Sequence, residues 1–278
     1  FENFLEWNYF TGVFVGFAIV VIYIWFGGFV AVAWSDLFQG MMMLFALIGL
    51  PLVAYFSIDS GNEIVSGLRD IDPALMSLWG SGGFSTMSLL TAIGLVAIGI
   101  GFMGSPQVFV RFMSIKNEGE INKGRWVAII YTILVNGAAI AIGMLGRYIF
   151  TGNGDPVSVL GSGGEDVLPK LVKEQLPLLL VGVYIAAVLS AIMSTVDSLL
   201  VSASSAVTRD LYQKVLHPEL KQENLTQIAR IVTLFLALFA LAIAVSVAII
   251  SEDRTVFWFV VFGWSGISAT FCPVIILS

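Results

Sequence analysis

Residues 176–211, LPLLLVGVYIAAVLSAIMSTVDSLLVSASSAVTRDL, decide how the rest of the chain is read. The stretch is long and apolar enough to cross a bilayer as a helix. Near its middle stand Ser194, Thr195, Asp197 and Ser198, and an acid at membrane depth is expensive. At helical spacing Ala191, Ser194, Thr195 and Ser198 share one face, with Asp197 one turn from Ser194. Such a face offers hydroxyl, carbonyl and carboxylate oxygens, the hard ligands of a small cation. Two plainer uses compete with that one. Ala187, Ala191, Ser194, Ser198 and Ser205 would let membrane helices pack closely whether or not an ion is bound. Asp197 could also bond to its serine neighbours alone.

Composition places the whole chain in the membrane. Of 278 residues 58% are hydrophobic and 12% charged, and the mean hydropathy is +0.95. Soluble domains carry about 25% charged residues. The lipid bilayer is the expected partner of so apolar a chain and no nucleic acid is expected, while the net charge of −6 itself says little on that point. The one cysteine, Cys272, lies in an apolar run, so neither a disulfide framework nor a thiolate metal site is expected. The one histidine, His217, sits in a polar connection. The chain opens on FENFLEW and stops on PVIILS, and it is expected to be an internal piece of a longer protein.

Apolar runs predict about seven spans, each near the roughly 20 residues needed to cross hydrocarbon. They cover 9–26, 29–56, 87–112, 126–150, 176–208, 228–250 and 256–278, and Gly27-Gly28 separate the first two. Trp7, Tyr9, Trp126 and Tyr148 stand near span ends, as an interfacial belt would. Most of the basic residues lie in two connections. Arg111, Lys116, Lys123 and Arg125 follow the third span, and Arg209, Lys214, Lys221 and Arg230 follow the fifth. The connections after the second and fourth spans are acidic, and the turn after the sixth is Glu252-Asp253-Arg254. Positive-inside bias makes the basic loops cytoplasmic and the others external, and the alternation runs without contradiction. The two long external loops are rich in Gly and Ser. They read first as flexible surface linkers; the alternative is that 62–69 and 167–174 form short lid helices within them, and 209–216 reads as a cytoplasmic continuation of the fifth helix.

Of the 19 acids only Asp36 and Asp197 fall inside predicted spans, and the basic residues within those bounds, Arg111, Arg147 and Arg230, stand at span ends and not beside them. That leaves protonated acids, a shared mobile cation or, for Asp36, simple solvation near the cytoplasmic interface. Sodium is the favoured ion, with half of its site on the fifth span, and a proton carried on Asp36 or Asp197 is the rival. The third span holds Gly94, Gly99, Gly101, Gly104 and Pro106. Residues 99–104 match the G-x-G-x-x-G pattern, but inside an apolar span with no preceding strand that match is accidental. Glycines and a proline in one membrane helix predict a kink or an unwound segment. Transporters expose backbone to solute at such breaks. No nucleophile–base pair, HExxH motif or phosphate loop occurs, so no enzyme activity and no cofactor is expected.

AAVLSAIMSTVDSLLVSASSAVTRDLY (186–212), GGFVAVAWSDLFQG (27–40) and GSPQVFVRFMS (104–114) together resemble the sodium:solute symporter family, in the order that family has them. The likeness runs over essentially the whole chain and is greatest to proline-carrying members. It implies an all-α polytopic bundle with the inverted-repeat fold of the bacterial leucine transporter. The spans would be core helices 4–10. Residues 1–278 would form one partial membrane domain, with 1–56 ending the first repeat and 86–278 forming the second. It further implies that Ala191, Ser194 and Thr195 are ligands of the main sodium site, and that Asp36, Ser194, Asp197 and Ser198 match a second one. Ile98, Gly101, Phe102 and Pro106 would line the solute site. Proline carriers have Trp and Tyr where this chain has Ile98 and Phe102. The expected activity is sodium-coupled symport of a small organic solute (proline, another amino acid, a sugar or a carboxylate) in the cell membrane, inner membrane where there are two. The alternatives are a proton-coupled carrier and the membrane sensor module of a symporter-like histidine kinase.

Overall fold

The computed structural model describes residues 7–58, 63–80, 82–152, 154–219, 222–250 and 256–277. Among them the chain is helical throughout, with no strand. Asn62 and the Glu252-Asp253-Arg254 turn lie outside the described residues. Seven segments are long and apolar enough to cross a membrane, in the places the apolar runs indicate. Most of their surface is left outward, as for Phe235 at 70% exposure and Phe262 at 80%, and hydrocarbon is the solvent that suits such faces. The chain divides into two compact units, Phe1–Met43 with Ala186–Arg254 and Leu44–Ile185 with Thr255–Ser278.

In the first unit, α1 (Tyr9–Ser57) supplies its N-terminal part, and the backbone remains helical through Gly27-Gly28 instead of stopping there. The two arms still fold back on each other. Tyr23 and Ser35 join by their hydroxyls across 12 residues, a separation that a straight helix would stretch to about 18 Å. The two candidate spans inside α1 are accordingly Tyr9–Phe26 and Val32–Ser57. The later part of this unit begins within α8 (Leu178–Ser205), continues as a π-helical segment (Ala206–Leu216) and returns through α9 (Gln222–Ile250). Helical continuation past Arg209 is as expected, but the winding is π, so the turn is wider than an α turn. Small residues permit the packing, Ala187 being 3% and Ala237 2% exposed. Ser204 Oγ donates to Ala229 O at 3.0 Å, and Thr233 Oγ1 lies 2.7 Å from Ser204 Oγ.

In the second unit the two long loops, where the composition suggests flexible linker first and short helices only as the alternative, carry short helices. These are α2 (Ile64–Ile71), with a 3-10 turn at Pro73–Met76 after it, and α7 (Val167–Gln175). Leu68, Leu171 and Val172 are fully buried. Ser57 Oγ donates to Gln175 Oε1 at 2.5 Å, tying the end of α1 to the end of α7. Helix α5 (Glu118–Gly146) closes in a π turn, Arg147–Thr151, where Arg147 Nη1 donates to Thr151 Oγ1 at 2.6 Å. Helix α6 (Pro156–Leu160) starts on Asp155, whose carboxylate accepts from Ser158 N at 3.1 Å.

The glycine-rich span is broken into α3 (Thr86–Ile100), a 3-10 turn (Gly101–Gly104) and α4 (Pro106–Met113). Ser105 between them is extended, with φ −76° and ψ 113°. Helix α10 (Val256–Leu277) covers the break. A Cβ on Gly104 would stand 2.7 Å from Cys272 Sγ and 2.9 Å from Cys272 N, and one on Gly101 would collide with Ser268 and Trp264. Only glycine admits this approach.

Candidate functional site

Two sets of polar groups stand where apolar neighbours would be expected, one in each unit.

The first is built of side chains on α1 and α8. Ser198 Oγ lies 2.8 Å from Ser194 O, 3.3 Å from Asp36 Oδ2 and 3.4 Å from Asp197 Oδ1. A hydroxyl has one proton to give. The shortest of the three contacts, to the Ser194 carbonyl, is the α-helical back-bond that serine makes to residue i−4. With the proton spent there, carboxylate oxygens from two helices face the same hydroxyl oxygen. Asp197 is fully buried and Ser198 is 6% exposed, so water screens this gathering of oxygen little. Tyr23 lies within electrostatic reach of both carboxylates. One turn earlier, Ser194 Oγ donates to Ala191 O at 2.9 Å, and Thr195 Oγ1 lies 3.4 Å from the same carbonyl. Ala191 O, Ser194 Oγ and Thr195 Oγ1 therefore form a second group of oxygens on the same helix. Thr195 is exposed, and Ala191 and Ser194 are half-buried. Among the described residues no three His, Cys, Asp or Glu side chains cluster as a transition metal would need. Carboxylate, hydroxyl and carbonyl oxygens of this kind suit a hard cation.

The second set is built of backbone. At the break between α3 and α4 the helical hydrogen-bond ladder is interrupted, and α10 supplies replacement donors. Trp264 Nε1 donates to Ile98 O at 3.2 Å, and Cys272 Sγ lies 3.4 Å from Ile100 O. Ser105 is fully buried and its hydroxyl lies 3.4 Å from Gly101 O, so it does not cap α4. The ring of Phe102 meets that of Trp264 at 4.5 Å between centroids and is otherwise open, at 57% exposure. Gly101 and Gly104 are buried, while Ile98 and Pro106 are half-buried. Of the residues expected to line a solute site, Ile98, Gly101 and Phe102 come together around Trp264, and Pro106 follows as the first residue of α4.

Counting charged residues missed two amides. Gln39, one helical turn from Asp36, has a buried Oε1 with no hydrogen-bond partner, and so does Gln107 in α4. An uncharged amide inside a span is also costly to bury, and that signal was present in the sequence. Trp264 and Cys272 were not foreseeable, because their partners lie 166 and 172 residues away in the chain.

Comparison with known proteins gives a consistent answer. The profile of the sodium:solute symporter family matches residues 1–278. The chain is 31% identical over 282 residues to the high-affinity proline transporter PutP of Bacillus subtilis, matching all of this chain and 56% of that protein. It is 30% identical to the sodium/proline symporter of Salmonella typhimurium, over all of this chain and 53% of that one. It thus spans about half the length of the curated relatives it matches. A solved structure of a Na+-coupled sialic acid symporter, substrate-bound and outward-open, superposes with a TM-score of 0.70 at 21% identity, covering 96% of this chain and 56% of that one. The fold is therefore the all-α, leucine-transporter-like membrane bundle.

Proposed function

We propose, from the premise that this chain belongs to the sodium:solute symporter family, that the protein carries sodium and a small organic solute together across the cell membrane in which its spans lie. The solute class is proline or another amino acid, a sugar or a carboxylate. The observation that supports the reading best is the meeting of Asp36 and Asp197 at the Ser198 hydroxyl oxygen, whose proton is turned to the Ser194 carbonyl. Those oxygens suit a partly dehydrated cation, and they hold it loosely enough for release.

On this reading Ala191 O, Ser194 and Thr195 contribute to the main sodium site. The exposed Thr195 awaits oxygens from the half of the carrier that these 278 residues do not span. Asp36, Ser194, Asp197 and Ser198 hold or guide a second sodium, with Gln39 Oε1 as a further oxygen nearby. Ile98, Gly101, Phe102 and Pro106 line the solute site at the break, where an open turn presents backbone groups. Residues 1–56 then end one structural repeat and 86–278 form its inverted counterpart, the spans being core helices 4–10. Sodium favours one of two packings, so that solute affinity and gate closure are coupled.

Uptake by the full-length carrier in sodium and in choline medium tests the proposal. Uptake that survives the replacement of sodium, or that survives Ser194→Ala combined with Thr195→Ala, defeats it. Proton coupling is the second reading, favoured by the complete burial of Asp197. It is distinguished by uptake that collapses with a protonophore and ignores choline substitution.

A further inference from the structure

Gln107 has no role in the sodium set and was not among the residues expected to line the solute site. It is 8% exposed, its Oε1 is buried, and nothing in the described structure donates a hydrogen bond to that oxygen. Buried amide oxygens are nearly always satisfied, so an orphan beside an opened helix calls for a donor from outside the fold. Its position strengthens the case. Gln107 is the second residue of α4, which follows the 3-10 turn and extended Ser105. Pro106 has no N–H, and the amides of Val108 and Phe109 turn back to Ser105 O at 3.1 and 3.0 Å. No side chain caps the helix. The opening of α4 thus combines an uncapped helix N-terminus, where negative charge is favoured, with a desolvated acceptor on the same residue.

We propose that Gln107 positions the carried solute. Its Oε1 accepts a hydrogen bond from an N–H or O–H donor on the solute, and the uncapped start of α4 takes a carboxylate carried close to that donor. The proposal rests on the reading that the solute binds at the break. It narrows the solute class to small acids that carry a donor beside the carboxylate. Amino and imino acids offer an ammonium donor, and sugar acids offer hydroxyl and amide donors. A solute without a donor leaves Oε1 as it is now and gains nothing from Gln107.

The test uses the full-length carrier in proteoliposomes at saturating sodium, with radiolabelled L-proline and N-acetylneuraminate as probes. Gln107→Leu keeps the size of the side chain and removes the acceptor. It should raise KM for the carried probe by about tenfold or more, because a site built to bond a donor loses most when that bond is lost, while the maximal rate and the half-saturating sodium concentration stay near wild type. Gln107→Asn keeps an uncharged amide acceptor and should lose less affinity than Gln107→Leu, with KM raised by about threefold. N,N-dimethyl-L-proline, which has no N–H, should compete at least tenfold more weakly than L-proline against wild type. It should compete equally with L-proline against Gln107→Leu, as a double cycle requires. An unchanged KM in Gln107→Leu overturns the proposal, as does an equal loss of affinity for proline and its dimethyl derivative. A wild-type carrier that transports neither probe overturns the assigned solute class. Sodium-independent uptake by the wild type strikes the symport reading instead, since Gln107 is judged on the KM ratio alone.

Discussion

The two polar sets of this chain are made from different material. Around Ser198 the oxygens belong to side chains on intact helix, brought together from α1 and α8. At Gly101–Gly104 the polar groups belong to the main chain, exposed because the helix changes winding and because two glycines let α10 come close. A set of side chains is broken by deleting an atom. A set of main-chain groups is broken by adding one. The contrast teaches where each kind of mutation should be felt, and each experiment below probes one side of it.

The largest effect is expected from added volume at the break. Gly104→Val drives a side chain into the backbone of Cys272, and overpacking of this kind costs about 1–3 kcal/mol. Uptake should vanish and the apparent melting temperature of the purified carrier should fall. A variant that transports normally would show that α10 yields easily there. Next is removal of atoms from the other set. Ser194→Ala with Thr195→Ala deletes two hydroxyl oxygens, and half-saturating sodium should rise on the order of 100-fold, since each bond to a charged group is worth about 1.5–3 kcal/mol. Stability should barely change. A drop in melting temperature as large as that of Gly104→Val would mean that these hydroxyls hold the fold rather than an ion.

The third experiment separates the two acids. Asp197→Asn should weaken sodium dependence by about tenfold, and Asp36→Asn by less, because charge interactions are least screened at a fully buried carboxylate. Flux measured against sodium concentration reads both, and the reverse order would put the ion nearer α1. The smallest effect belongs to Trp264→Phe, which removes the donor to Ile98 O. One neutral hydrogen bond is worth about 1 kcal/mol. Solute KM should move a few-fold, with the sodium response untouched. A shift in sodium affinity instead would mean that the two sets are not separable in this way.

What could be read from residues alone follows the same division. Spans, the two intramembrane acids and the serine face were legible because each is a local signal: hydropathy over one window, charge at one position, spacing along one helix. The short helices α2 and α7 were visible only as an alternative, because the Gly- and Ser-rich composition around them favoured flexible linker. The break at Gly101–Gly104 was foreseen from its glycines and Pro106, but its 3-10 form and its cover were not. Trp264 and Cys272 sit on a helix far along the chain, and no local pattern announces that they serve Ile98 and Ile100. The π winding of Ala206–Leu216 carried no compositional mark either. Gln39 and Gln107 were visible throughout, but attention to formal charge passed over them. Burial makes an amide costly whether or not it carries charge.

The close approach of α10 to Gly101 and Gly104 bears on how such a carrier could diversify. The two glycines are pinned by their neighbours, whereas the Phe102 ring between them is more than half exposed and Ile98 meets Trp264 through its carbonyl. On the proposed reading that these two side chains line the solute site, a lineage could exchange them, and with them its cargo, while the main-chain scaffold underneath stayed the same. Nutrient preference and mechanical integrity are in this way inherited through separate positions, which lets the first drift without endangering the second.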